Sequence, residues 1–223
     1  MNQIKFSVKK IYYIITNKEH TMPYIYLFLS ATETYTSKAI RFTTAETFTH
    51  VALSFDPSLS KMYSFARTQP LFPLPAGFID ENIAVGFYKN HPDTPCLLLR
   101  LPVNQRSLQL ARQQIFAMLT MRNKYRYNLL GLFLCKLNIE NKRPWHFFCS
   151  QFVSEILENS QAITLPKRPS LMHPADFLQL PELELIFEGT CGQLQQNLAL
   201  ASINKLAGSQ TPTYTHQLLK VVE

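Results

Sequence analysis

The chain has 223 residues, 46% of them hydrophobic, which is enough to bury the core of one domain or of one domain with an extension. Six glycines against fourteen prolines favour a globular fold with stiff loops over a flexible low-complexity chain. The net charge of +7 falls in short patches rather than in one long basic stripe, so we expect a solvated surface and no nucleic-acid face.

The cysteines argue against two common roles of that residue. Cys96, Cys135, Cys149 and Cys191 form no CxxC pair, and this spacing argues against a zinc site. No secretory signal is visible, and no apolar run approaches the roughly 20 residues that span a bilayer. We therefore expect free thiols in a reducing cytoplasm, no stable membrane insertion, and no metal or organic cofactor.

The first 21 residues differ from the rest of the chain. They are basic and end in a polar run, and Met22 and Pro23 then lead into a strong strand pattern at Tyr24–Ser30. We expect residues 1–21 to be a leader or a disordered tail, with Met22 as an alternative start, and residues 36–43 to form a short helix.

A hairpin is predicted next. Residues 50–56 alternate, with Val51, Leu53 and Phe55 on one face, which is typical of a half-buried strand. A turn at 57–60 joins this strand to a second one at 61–67. The connection that follows is long and rich in proline, with a further strand expected near residues 84–89.

The second half of the chain alternates between strand and helix signals. Residues 96–101 are apolar throughout, as in a central strand, and residues 104–121 have helical apolar spacing. The remaining predicted elements are an apolar run at 129–135 that we expect in the core, a helix at 149–159, a strand at 183–188 and a polar, peripheral extension at 190–223. The order predicts an α+β fold, with helices packed on a mostly antiparallel sheet in a domain spanning residues 22–189.

Cys149 begins a helix whose apolar residues share one face. In the segment CSQFVSEILEN the stripe includes Phe152, Val153 and Ile156, and Cys149 lies at its N-terminal edge. The N–H groups and dipole at a helix N-terminus stabilise a thiolate and donate to a developing oxyanion. The same position also suits a small buried core residue, so helix physics alone leaves both interpretations open.

A nucleophilic thiol needs an imidazole partner, and His50 is the histidine that lies on a predicted strand. The other histidines fall in loops or in polar and terminal segments: His20, His91, His146, His173 and His216. A histidine at a strand end is also common as an ordinary surface residue, so this position alone does not decide between the two roles.

Four short segments, in this order, resemble the circularly permuted branch of the NlpC/P60 papain-like superfamily. They are FTHVAL at 48–53, KMYSF at 61–65, YRYN at 125–128 and FCSQFV at 148–153. That branch places a His-Val strand before a Cys-Ser-x-x-Val helix, whereas the cysteine helix comes first in the unpermuted relatives. The resemblance covers about residues 23–188 and implies a papain-like core in which the cysteine helix packs against the sheet that carries the histidine.

By position, the resemblance implies that Cys149 is the nucleophile and His50 the general base. It also implies a tyrosine near the oxyanion, for which Tyr127 fits better than Tyr125. The third member of the site is usually a polar residue on the strand after the histidine, where this chain has Ser64. An uncharged hydroxyl is a weak orienter because it does little to stabilise an imidazolium.

Other residues remain as further candidates. Glu46 and Gln151 stay open as alternatives for the third member, whereas Asp56 lies roughly 20 Å along the strand from His50 and is expected to be out of reach.

Two proline-rich loops, 68–95 and 166–174, are expected to edge the cleft. His173 and Asp176, in and just after the second loop, are candidate rim residues.

The expected function is a thiol-dependent hydrolase of an amide or ester bond, with peptide, amide or acyl substrates and a Cys149 acyl-enzyme. An acyltransferase on the same core is one alternative, in which residues 129–135 line an acyl channel. A catalytically weak binding module is the other, and Ser64 in place of a charged orienter favours it. The substrate, the acyl acceptor and the oligomeric state stay open at this point.

Overall fold

The computed structural model describes residues 22–31, 47–67 and 76–208, and these build an α+β fold on one six-stranded antiparallel sheet. Its strands are Tyr24–Ser30 (β1), His50–Ser54 (β2), Met62–Arg67 (β3), Ala76–Glu81 (β4), Pro95–Pro102 (β5) and Glu184–Thr190 (β8). They lie in the order β4-β3-β2-β1-β5-β8. A separate pair of two-residue strands, Arg126–Tyr127 (β6) and His146–Phe147 (β7), runs parallel.

The helices in the described ranges are Phe87–Asn90 (α1), Gln105–Thr120 (α2), Leu129–Lys136 (α3), Cys149–Asn159 (α4) and Cys191–Gly208 (α5). The predicted α+β class and antiparallel sheet are confirmed. So are the hairpin of β2 and β3, the interior strand β5 and the helices α2 and α4. The expected helix at 36–43 and the leader at 1–21 lie outside the described residues.

One face of the sheet is covered by α2 and α4. Val51 and Leu53 of β2 and Phe65 of β3 have no exposed surface and pack in one cluster with Phe152 and Val153 of α4. Each fully buried side chain of this size contributes about 1.5–3 kcal/mol. The stripe predicted for α4 therefore holds the helix on the strands that carry His50, with Cys149 at its first turn.

The opposite face is covered by α5. Cys191, Leu194 and Leu198 are buried there in a cluster that includes Phe28 and Leu98 of the sheet. Residues 190–223 were expected to form a peripheral extension, but the described part begins with a packed helix. Its apolar residues recur every three to four positions, and the polar residues between them hide this stripe in the composition.

Two local predictions differ from the structure. No strand forms at residues 84–89, because the Asn82 side chain accepts a hydrogen bond from the Ala84 N–H at 2.7 Å and Gly86 takes a left-handed φ of 65°. The strand of this connection lies earlier, at Ala76–Glu81. The run at 129–135 was expected in the core, but as α3 it exposes much of its apolar surface to solvent.

Candidate active site

Cys149 is the first residue of α4, and Phe148 alone separates it from β7. The preceding residue, Phe148, has extended backbone angles and no side chain that caps the helix. The N–H groups of the first turn, which have no partner within a helix, are thus left without a capping side chain. Cys149 is only 3% exposed and lines a narrow cleft. The other residues around this cleft are Thr49, Tyr127, Leu132, Cys135, Lys136, Phe148, Ser150, Met172, His173 and Pro174.

His50 begins β2 and is held between a carboxylate and the thiol. Its Nε2 lies 2.8 Å from Oε1 of Glu81, and both side chains are nearly buried, at 10% and 11% exposed. The thiol of Cys149 lies close enough to the ring to raise the pKa of His50 through a hydrogen bond and through its charge.

Glu81, the last residue of β4, accepts hydrogen bonds at both carboxylate oxygens. The hydroxyl of Ser64 donates to Oε1, and the hydroxyl of Tyr88 donates to Oε2 at 2.6 Å. A buried charge is stable only when it is paired and hydrogen-bonded, and this carboxylate has an imidazole and two hydroxyls around it. Glu81 is therefore fixed in the orientation in which it holds His50.

The electrostatics of the pair follow from this arrangement. Burial alone lowers the pKa of His50, but the charge of Glu81 and hydrogen bonds with Cys149 and Glu81 raise it from 6.5 to about 10. Burial alone raises the pKa of Glu81, but the charge of His50 and hydrogen bonds from His50, Ser64 and Tyr88 lower it from 4.5 to about 2. An imidazolium paired with a carboxylate is thus the favoured state at neutral pH.

Tyr127 lies in the same cleft as Cys149. Burial, with a smaller effect from the charge of Cys149, raises the pKa of the Tyr127 phenol well above its usual range. The phenol therefore keeps its proton and can act as a hydrogen-bond donor toward the cleft. Tyr125, the alternative, instead packs against the rings of Phe65 and Trp145.

Of the residues predicted from the sequence, the structure brings Cys149 and Tyr127 to one cleft, and His50 interacts with Cys149 from behind the cleft lining. Ser64 lies beside them but donates to Glu81, so it supports the residue that orients His50. The remaining alternatives are elsewhere. Gln151 donates to Glu155, and Glu46 lies outside the described residues.

Glu81 is the member that the sequence analysis missed. Its strand was expected several residues later, so the carboxylate was assigned to a loop. The available signal was the register of the hairpin: Glu81 pairs with Met62 on β3, and Ser64 follows Met62 on the same face of that strand. A correctly positioned β4 would have placed a carboxylate next to Ser64.

The two candidate rim residues, His173 and Asp176, have different positions in the structure. His173 lines the cleft, and its Nε2 lies 3.4 Å from Sγ of Cys135, which makes a second thiol–imidazole pair near Cys149. Asp176 accepts the backbone N–H of His173 at 2.6 Å and pairs with Lys167. Asp176 therefore holds the loop, and His173 contacts the cleft.

Across the described ranges, no three His, Cys, Asp or Glu side chains come together as ligands for a metal ion. None of the helices described combines the length and apolar character needed to cross a membrane. Comparison of the chain with protein-family models, with curated proteins and with solved structures gives no match.

Proposed function

We propose that the protein is a cysteine-dependent hydrolase of amide or ester bonds, built on a circularly permuted NlpC/P60-like papain core. The observation that carries the proposal is the position of His50, whose imidazole contacts the thiol of Cys149 on one side and the carboxylate of Glu81 on the other. A nucleophile, a base and a residue that orients the base are the three groups that covalent acyl transfer requires.

The reaction proceeds in two halves. His50 enters the reaction as the imidazolium that Glu81 stabilises, holding the proton of the Cys149 thiol, and the sulfur of Cys149 forms a bond to the substrate carbonyl carbon. The bond from that carbon to the leaving nitrogen or oxygen then breaks, and His50 returns the proton to the leaving group. In the second half His50 takes a proton from water, the hydroxide attacks the thioester, and the thiol of Cys149 recovers its proton as the acid leaves.

The charge that develops on the carbonyl oxygen is stabilised by the start of α4. The N–H groups of its first turn have no capping side chain, and the helix dipole favours negative charge at this end. The Tyr127 phenol, which keeps its proton, supplies a further donor from the same cleft. The Glu81 carboxylate meanwhile stabilises the imidazolium that forms on His50.

Glu81 also bears on the alternative of a catalytically weak binding module. That alternative was favoured because Ser64 is uncharged, and the carboxylate that Ser64 contacts supplies the missing charge.

An acyltransferase differs from a hydrolase only in the acceptor of the second half-reaction. The exposed face of α3 makes residues 129–135 a poor lining for a closed acyl channel, so we favour water as the acceptor.

The test is to trap the acyl-enzyme. We expect p-nitrophenyl acyl esters to release a burst of p-nitrophenol and to leave one acyl group on Cys149, as seen by intact-mass spectrometry and peptide mapping. The variant Cys149→Ala should lose the burst and the adduct. The matched control is Cys135→Ala, which removes the other thiol of the same cleft and should keep both.

The proposal fails if Cys149 reacts with iodoacetamide no faster than free cysteine and carries no acyl group with any ester. An adduct on Cys135 that survives in Cys149→Ala would instead assign the chemistry to the thiol beside His173. Transfer of the acyl group to added amines or alcohols in preference to water would identify an acyltransferase.

A further inference from the structure

The helix α3 turns an apolar face to the solvent. Leu129, Leu130 and Phe133 are 47%, 51% and 60% exposed, and Leu137, one turn further, is 56% exposed. At 100° per residue these four positions lie within one side of the helix. The opposite side, which faces the protein, carries the small buried residues Gly131 and Cys135 instead.

The end of α3 extends this face. Asn138 takes a left-handed φ of 56°, and the N–H of Ile139 returns to the carbonyl of Leu134 at 2.9 Å. Ile139 is itself 49% exposed. We call Leu129, Leu130, Phe133, Leu137 and Ile139 the α3 face. Large apolar side chains grouped in this way on a surface commonly mark a contact with a partner or a membrane.

The sequence on both sides of α3 is basic. Residues 122–146 contain six Lys or Arg and one acidic residue. Lys124, Arg126 and Arg143 make no ion pair within the part of the chain that the structure describes. Arg126 pairs with His146 across β6 and β7, and Arg143 bridges to the same histidine. The backbone of both arginines is therefore held beside His146, next to the strand that ends just before α3 begins.

We propose that the α3 face docks on the surface of an anionic lipid bilayer, with its apolar side chains at the acyl boundary and the cations on the headgroup phosphates. A short helix with exposed Leu and Phe beside Lys and Arg has the composition of an interfacial element. Each cation near such a surface contributes to the attraction. A second copy is a poorer occupant, because a two-fold interface brings the same cations together from both sides.

Docking places the cleft at the interface. Leu132, Cys135 and Lys136 lie on the inner edge of α3 and line the cleft that contains Cys149. The same eight-residue helix therefore forms both the cleft wall and the docking surface. The proposal does not depend on the reaction at Cys149, since membrane binding needs only the α3 face and its cations.

The experiment is vesicle flotation of the full chain. We expect binding to vesicles of phosphatidylcholine mixed with phosphatidylglycerol, little binding to phosphatidylcholine alone, and weaker binding as salt is raised. The combined variant Leu129→Ser, Leu130→Ser and Phe133→Ser should lower the partition coefficient by a factor on the order of ten or more. Arg126→Gln and Arg143→Gln should each lower it about fivefold.

The matched control is Phe116→Ser on α2, which removes an apolar side chain that is 68% exposed and lies outside the α3 face. This variant should bind as the wild type does, and all variants should keep the wild-type thermal unfolding curve. The proposal is overturned if the wild type does not bind anionic vesicles or if the triple variant binds them as strongly as the wild type does. If the wild type forms a dimer and does not bind vesicles, and the triple variant is a monomer, the occupant of the α3 face is a second copy of the chain.

Discussion

Glu81 is the residue on which the site's electrostatics depend. Its carboxylate accepts from the imidazole of His50 and from the hydroxyls of Ser64 and Tyr88. Hydrogen bonds to a charged group contribute about 1.5–3 kcal/mol each, and together they offset the cost of burying the charge. Removing the carboxylate, rather than either hydroxyl, is therefore the change that acts most directly on His50.

We expect Glu81→Gln to leave His50 neutral at physiological pH. The charge that raises the pKa of His50 is lost, whereas the burial that lowers it remains. NMR titration of the imidazole should move its pKa from about 10 toward or below 6.5, and iodoacetamide should label Cys149 about tenfold more slowly at neutral pH. The control is Glu184→Gln, an exposed carboxylate paired with Arg100. An unchanged His50 titration in Glu81→Gln would contradict the assignment.

The same pair makes stability depend on pH at both ends of the range. The pKa of His50 is raised by folding, so its contribution is fully present below 6.5 and is lost as the pH rises through about 10. The pKa of Glu81 is lowered, so its contribution is present above 4.5 and is lost as the pH falls through about 2. Urea unfolding should show maximal stability between pH 4.5 and 6.5 and a decline on either side. A Glu81→Gln variant with the same pH profile would exclude the pair as its cause.

At the scale of elements, the sequence predicted those whose pattern is local. The alternation in β2 separates the residues that face α4 from those on the other side of the sheet, although both sides are buried, and the stripe in α4 marks the side that packs on the sheet; both elements form where expected. The prediction put β4 several residues too late in the chain, at positions where the structure instead has a turn that includes Asn82 and Gly86. The prediction that residues 129–135 lie in the core was wrong for another reason. Apolar residues are buried only when another element covers them, and composition does not show which elements pack together.

The side chain that caps the N-terminus of α3 fits only because position 131 is a glycine. The side-chain oxygen of Asn128 accepts the N–H of Gly131 at 2.9 Å, and its amide donates to the carbonyl of Asn141. A Cβ on Gly131 would collide with the Asn128 amide, which is fully buried and has no room to move. The glycine thus permits the cap that joins α3 to the loop carrying Arg143.

We expect Gly131→Ala to destabilise the protein, although alanine is better than glycine by about 1 kcal/mol inside a helix. Loss of the Asn128 cap costs about 1–2 kcal/mol, and the carbonyl of Asn141 loses its donor. Urea unfolding of Gly131→Ala, Asn128→Ala and the double variant forms a mutant cycle. The double variant should be no less stable than Asn128→Ala; additive losses, or a stabilising alanine, would show that the glycine acts in some other way.

At the scale of the whole molecule, the sheet is enclosed by two helical layers that both reach the candidate site. The first layer supplies Cys149 through α4. In the second layer, Gln195 of α5 donates to the carbonyl of Ile83 at 2.7 Å and to that of Tyr88 at 3.2 Å. The helix expected to be peripheral therefore supports the segment from which Tyr88 contacts Glu81. This long-range link is invisible in the sequence, because no local pattern joins residue 195 to residue 88.

If α5 belongs to the folding unit, weakening it should weaken the whole sheet. Leu194 is fully buried against the second face, so Leu194→Ala should cost about 2–5 kcal/mol, whereas Leu200→Ala, at 47% exposure, should stay within about 0.5 kcal/mol. Urea unfolding followed by circular dichroism and by labelling of the buried cysteines should give one coincident transition in both variants. Two transitions in Leu194→Ala, with Cys149 protected after α5 melts, would mean that α5 is a dispensable extension beside an independent domain.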